Sequence, residues 1–464
     1  MTLLLIGFLG SMLAFALIGL ASTRAARREV SDYLVAGRSV SPWVAGLSAV
    51  ATNNSGFMFI GAIGFTYTYG LSAFWLFFAW ILGDYCSWRL VHRRLRERSA
   101  AQGNNSVIAF LSSDGAHESR ALQVTLGALT VVFLTLYAAA QLKAGGKALE
   151  ALLSWDPAAG VALGAGLVAL YSFAGGIRAS LWTDVAQSFV MVVAMGALVW
   201  VCHGALAPLG ELPARLAALD PRLLHLTPHD ATLGLLPYAL GWLLAGFGGA
   251  GQPHIIVRAM TLSRPEGVTQ MRRVYFSWYV LFSALTMLVG LYARLHFTGA
   301  AAGGFDRETA LPLLASAHLA PLWAGLVLAA IFAATMSTAD SQVLSCSASL
   351  TQDVSPAHRA SYAMSKAATL TVVLCAALVA RFGPESVFEL VTLAWGLMMT
   401  TCTPLMLARV RGWRVPPARA LGAAAAGLAA MLAWRYGLSL GDAVYEGAVG
   451  LAVSLPLTCV ARGR

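Results

Sequence analysis

The stretch "AATMSTADSQVLSCSASL", Ala333 to Leu350, carries Ser337, Thr338, Ser341, Ser345, Ser347, Ser349 and one acid, Asp340, inside an otherwise apolar run. Ser337, Ser341 and Ser345 are four residues apart, so in a helix they stack on one face, flanked by Thr338 and Asp340. Two chemistries fit. A helical hydroxyl can bond back to its own chain, which accounts for any single serine here. A whole face of hard oxygen atoms also suits a hard cation, and carbonyls released by a broken helix would add more of the same ligand. From the residues alone both readings stand.

Two other stretches could supply such carbonyls. "SAVATNNSGFMFIGAIG", Ser48 to Gly64, places Asn53, Asn54, Ser55 and Gly56 in the middle of an apolar run, and "LAGFGGAGQPHI", Leu244 to Ile255, sets four glycines ahead of Gln252-Pro253. Both are poor helix material, since Gly costs about 1 kcal/mol and Pro about 3 relative to Ala. At membrane depth such backbone survives only where it is buried in protein or lines a cavity. The milder reading is that the glycines let neighbouring helices approach closely. In "YAAAQLKAGGKALE", Lys143 lies about one turn deeper than Lys147 on the same face. Snorkelling beside Lys147 is the favoured reading for Lys143, with an acid or a solute carboxylate as the other.

These residues must be positioned by membrane helices. Of 464 residues 58% are hydrophobic and only 11% charged, against about 25% charged in soluble domains. Apolar runs long enough to span a bilayer number about thirteen: 2–21, 41–65, 70–92, 121–149, 158–175, 182–204, 232–256, 274–297, 320–350, 361–381, 386–409, 417–435 and 443–461. The runs are continuous rather than alternating, so the fold class is all-α and polytopic, a single transporter-like unit over 1–464. The two breaks fall in runs two and seven, five apart. That spacing predicts an inverted five-plus-five repeat with broken helices, the first repeat over 41–204 and the second over 232–409, followed by two extra helices in 410–464.

The net charge of +10 orients the chain and does not point to nucleic acid. With the N-terminus outside, the basic clusters Arg24, Arg27, Arg28, Arg38; Arg93, Arg94, Arg96, Arg98; Arg258, Arg264, Arg272, Arg273; and Arg409, Arg411, Arg414, Arg419 all fall on one side. That asymmetry predicts N-out and C-in across the plasma membrane. The first run lacks a basic leader and reads as a retained anchor, a cleaved signal peptide being the alternative. Six single cysteines form no metal-ligand spacing and read as packing residues. P-loop, HExxH and GxSxG motifs are absent in usable context, which argues against a primary pump or a membrane enzyme.

Four ordered motifs, "SDYLVAGRSVSPWVAGLSAVAT", "SLWTDVAQSFVM", "GAGQPHIIVRAMT" and "AATMSTADSQVLSCSASLTQD", resemble the sodium:solute symporter family, nearest in pattern to its sodium/proline branch. The resemblance covers roughly residues 31–410. It implies a ten-helix inverted-repeat core and a sodium ion held by the carbonyls of Ala51, Asn54 and Ala334 and the hydroxyls of Ser337 and Thr338. Some members hold a second sodium, and the matching positions here are Asp184, Ser337, Asp340 and Ser341, Asp340 standing where those members have Ser. Asp184 is equally readable as a cap in the first turn of its helix. For the solute site the resemblance implies Tyr137, with Asn53, Ser55, Phe57, Phe247, Gly249, Gln252 and Pro253 around it. Two aromatic positions of the proline branch are Ala245 and Gly249 here, and an Asp is Asn53. The implied activity is sodium-coupled symport of a small organic solute, proline or a related amino acid, without covalent chemistry. Its rivals are a proton-coupled or uncoupled transporter on the same fold and a membrane solute sensor.

Overall fold

The computed structural model describes the chain except residues 23, 25, 26, 28, 114–116, 229, 230, 299–304, 356, 358–360 and 460–464, and the side chains of 171 and 174. Arg28 of the first basic cluster and the end of the thirteenth run therefore lie outside the described residues. Each apolar run is helical: α1 (Thr2–Ser22), α2 (Pro42–Asn53), α3 (Ala62–Tyr69), α4 (Phe74–Leu90), α5 (Arg120–Leu153), α6 (Pro157–Ala205), α7 (Leu235–Phe247), α8 (Pro253–Thr261), α9 (Gly267–His296), α10 (Pro321–Ala348), α11 (Tyr362–Phe382), α12 (Val387–Arg411), α13 (Pro417–Leu432) and α14 (Glu446–Cys459). Among the described residues nine helical segments are long and apolar enough to cross a membrane, with shorter apolar helices at Pro157–Leu170, Leu235–Gly251 and Glu446–Cys459. The protein is a multi-pass, all-helical membrane protein.

Runs five and six are the two helical arms of α6, separated by a break where Gly176 takes φ 58°, ψ −144°. A Cβ there would lie 2.5 Å from Tyr33, so glycine is required both by the left-handed backbone and by the close approach. The second run breaks as expected. α2 stops at Asn53, Asn54 turns away at φ −78°, ψ 59°, and a wide turn over Phe57–Gly61 leads into α3. The seventh run breaks likewise: α7 tightens through Gly248–Gly251, Gln252 is extended, and Pro253 starts α8. Pro at that first position loses nothing, because its amide would have no helical partner.

The glycine seam and the break coexist in run seven. A Cβ on Gly246 would meet the Trp80 carbonyl at 1.9 Å, and one on Gly83 of α4 would meet the Leu243 carbonyl at the same distance. The α4 and α7 backbones therefore touch through paired glycines, the close approach small residues permit between membrane helices. At the centre lies α10, buried from Val327 through Ala348. Its hydroxyl-rich half thus meets protein on all sides and no lipid, which answers why a membrane helix can hold so many polar groups. α12 is likewise buried nearly throughout.

Candidate cation and solute sites

The hydroxyls of α10 meet the broken end of α2. Ser337 Oγ donates to the carbonyls of Ala51 (3.0 Å) and Ala334 (3.0 Å), and Thr338 Oγ1 to those of Thr52 (2.8 Å) and Ala334 (3.0 Å). Ala51, Ala334, Ser337 and Thr338 are thus brought into one chain of oxygens. Thr52 joins it in addition to the residues read from the sequence. Asn54 lies two residues further, at the break, its Oδ1 buried without a partner among the described residues. Ligand oxygens sit about 2.4 Å from a hard cation of calcium's size, hence about 3.4 Å from one another at right angles. These oxygens are now held at 2.8–3.0 Å by hydroxyl donation, so a small cation among them would require them to spread by about half an ångström and the hydroxyl lone pairs to turn inward.

One turn toward the other end of α10, Ser341 Oγ bonds the Ser337 carbonyl (2.6 Å) and Asp340 Oδ1 (2.9 Å), and Thr52 Oγ1 lies 3.2 Å away. Asp184 joins the same cluster. It lies two turns beyond the Gly176 bend and caps no helix; its Oδ2 takes the Ser48 hydroxyl at 2.5 Å and stands 3.3 Å from Arg258 Nη2. Ser180 Oγ reaches Asp184 Oδ2 (3.4 Å) and Asp340 Oδ1 (3.0 Å).

Arg258 corrects the sequence reading. Its place in the sequence sets it among the basic clusters of one membrane side, yet it is 1% exposed, on α8, with its guanidinium against Asp184, Ser180, Ser48 and Ser341. The break at Gln252 causes this, because it turns α8 so that a residue one turn past Pro253 faces the core. The same serine stripe continues past the cluster: Ser341, Ser345 and Ser349 line a cavity of about 20 Å³ together with Pro253 and Arg258, room for a single water.

The implied solute residues divide. Asn53, Phe57 and Tyr137 line a second cavity of about 20 Å³ with Phe77, Trp80, Tyr279 and Trp395. Ser55 lies just behind, its Oγ accepting from the Phe57 amide at 3.2 Å. Gln252 is tied to this wall through Trp395, whose carbonyl takes its Nε2 at 3.1 Å while the indole donates to the Ala245 carbonyl at 2.8 Å. Phe247, Gly249 and Pro253 do not line this cavity. Gly249 instead faces Asp84, whose Oδ1 would lie 2.9 Å from a Cβ there, and Asp84 Oδ2 accepts from Tyr275 at 2.7 Å. The aromatic walls Trp80, Tyr279 and Trp395 were passed over because buried rings in a membrane helix carry no distinguishing signal. Gln141, which accepts the Gly56 amide at 2.8 Å, did carry one: a polar residue in mid-span.

A larger cavity of about 330 Å³, lined by Phe65, Tyr69, Trp242, Phe388, Tyr445 and Glu446 among others, lies on the far side of a ring stack. Phe388 stacks on Phe57 at 5.2 Å and on Phe65 at 5.4 Å, so these three rings stand between the two cavities.

A cluster of oxygens stands where the first broken helix meets α10, beside an aromatic cavity lined by Asn53 and Phe57 of that same run. The model of the sodium:solute symporter family matches residues 33–427. The chain belongs to that family. Among its members the chain is similar to the high-affinity proline transporter PutP of Bacillus subtilis, 29% identical over 92% of this chain and 91% of the relative, and to a sodium/proline symporter of Staphylococcus aureus, 30% identical over 91% and 84%. In fold it is similar to a Na+-coupled sialic acid symporter, solved substrate-bound and outward-open (TM-score 0.80, 19% identity, 99% of this chain and 97% of the other). It also resembles Mhp1, a nucleobase-cation-symport-1 family transporter (TM-score 0.60, 16% identity, 92% and 93%).

Proposed function

We propose that the protein is a sodium-coupled secondary active symporter that imports a small organic solute, best proline or a related amino acid, across the plasma membrane by alternating access. The observation that supports this most directly is the chain of oxygens joining Ala51, Thr52, Ala334, Ser337 and Thr338 where α2 is broken. Sodium drawn in from outside replaces the hydroxyl donations there and ties α10 to the broken end of α2. Asn53, at that end, lines the aromatic cavity, so ordering one site completes the other. That cavity holds no more than a water as it stands, so solute entry requires Phe57 and Phe388 to part. On this reading the larger cavity faces outside, the N-terminus lies outside and the C-terminus inside.

The two broken helices open two five-helix units, 41–204 and 232–409, which rock against one another around the fixed sites. The helices of 410–464 contribute Arg435, Tyr445 and Glu446 to the outer cavity. Each sodium moving down the membrane potential contributes about 2.3 kcal/mol per 100 mV, equivalent to about fiftyfold solute accumulation.

The test is the melting temperature of purified protein in sodium, potassium and choline salts at equal ionic strength, followed by proline uptake into proteoliposomes under an imposed sodium gradient. A stabilisation specific to sodium, enlarged by proline, is expected from mass action. Uptake indifferent to sodium would reassign the chain to a proton-coupled or uncoupled transporter on the same fold.

A further inference from the structure

Resting on the sodium-coupled reading above, we propose that Arg258 is a tethered cation that fills the second cation site and holds the protein to one sodium ion, while Asp184 and Asp340 supply the counter-charge for that ion. The residues matching a second sodium site, Asp184, Ser337, Asp340 and Ser341, are indeed gathered in one place. Two of the four, Asp184 and Ser341, already face a cation. Arg258 Nη2 contacts Asp184 Oδ2 (3.3 Å), Ser180 Oγ (3.1 Å) and Ser341 Oγ, Nε contacts Ser48 Oγ (3.2 Å), and Nη1 donates to the His254 carbonyl. A guanidinium is permanently charged and its donors are fixed in a fork. It therefore presents to these acceptors what a bound cation would, and its own backbone anchors it there.

The charges support the same count. Asp184 and Asp340 are both 0% exposed and Arg258 is 1% exposed, so two acids meet one base away from water. One carboxylate oxygen of each acid, Asp184 Oδ1 and Asp340 Oδ2, has no hydrogen-bond partner among the described residues. A buried surplus charge of this kind is costly unless paired. The neighbouring cage at Ala51, Ala334, Ser337 and Thr338 is made only of carbonyls and hydroxyls and brings no charge of its own. It is joined to Asp340 through Ser341, whose Oγ lies 2.9 Å from Asp340 Oδ1 and 2.6 Å from the Ser337 carbonyl. With both acids ionised, one sodium in the neutral cage and Arg258 balance the two carboxylates. A second sodium would leave a buried positive surplus.

The experiment is equilibrium binding of radioactive 22Na+ to the purified full-length protein, with melting temperature in potassium as the folding control. Wild type is expected to bind one ion per chain. Ser337→Ala should lose it, and Asp340→Asn should keep the count at one with affinity lowered at least tenfold. Arg258→Gln, where it folds, should bind two. Two ions on the wild-type chain, or unchanged affinity in Asp340→Asn, overturns the inference while leaving sodium coupling intact. No sodium bound by wild type overturns the coupling itself, and the inference with it. Should Arg258→Gln fail to fold, wild type and Asp340→Asn decide the question alone.

Discussion

Gln141 Oε1 accepts the Gly56 amide at 2.8 Å, across from the helix that Gly56 helps to break. The amide has no carbonyl in its own run to bond, because α2 has ended at Asn53. Gly56 leaves no room to rearrange: a Cβ on it would come 2.8 Å from Thr335 Cγ2 and 3.0 Å from Gln141 Oε1. The break is thus held open by a side chain from α5, and the cation cage depends on it.

Removing that acceptor strands a buried N–H. Gln141→Leu should cost about 1–3 kcal/mol, the penalty of an unsatisfied buried donor, and weaken sodium activation as the broken end of α2 loses its fixed course. Gln141→Glu, which keeps the acceptor, should retain much of both. Melting temperature and sodium-dependent uptake measured side by side check this; a Leu variant with wild-type sodium dependence would detach Gln141 from the cage.

Ser337→Ala and Thr338→Ala each remove one hydroxyl from the oxygen chain and leave the carbonyls of Ala51 and Ala334 in place. Half-maximal sodium for uptake should rise at least tenfold in each, a change of about 1.4 kcal/mol in affinity, with the potassium melting temperature nearly unchanged. Normal sodium activation in both variants would remove the cation site from this position.

Tyr137 lines the aromatic cavity and meets His254 edge-on at 5.5 Å, away from the α2–α10 oxygens. Tyr137→Ala should therefore raise the solute concentration needed for half-maximal uptake about tenfold while sodium-dependent stabilisation persists. Loss of both together would show that Tyr137 supports the fold and not the solute.

Two acids beside the paired lysines should behave oppositely. Lys143 meets Glu385 at 3.0 Å, pairing with an acid as well as reaching outward, but Glu385 is 83% exposed, so Glu385→Gln should change stability by less than about 1 kcal/mol. Glu308 is buried. It accepts from Lys147 at 2.7 Å and from the amides of Val387 and Phe388 at 3.2 and 2.9 Å, which open α12. Breaking a buried pair costs about 3–5 kcal/mol, and Glu308→Ala should lower the melting temperature accordingly. It should also disturb uptake, because Phe388 belongs to the ring stack between the cavities.

How much of this was legible beforehand follows from range. Hydropathy is a local property, so the thirteen spans were there in composition, and the breaks at Asn54 and Gln252 in runs of Asn, Gly and Pro that no helix tolerates cheaply. The serine stripe announced a polar face by its spacing. It could not say what that face meets, since a hydroxyl bonding its own chain and one facing a cation occupy the same periodicity. Packing decided that, by setting α10 at the centre with Ala51 and Thr52 within hydrogen-bond reach of Ser337 and Thr338. Arg258 shows the limit most clearly. Read along the chain it is one more arginine among the inward-side clusters; only the turn at Gln252 carries it against Asp184 of α6 and Ser341 of α10. Which charge pairs with which depends on residues brought together from 74 positions away and more, and periodicity within one helix holds no record of that.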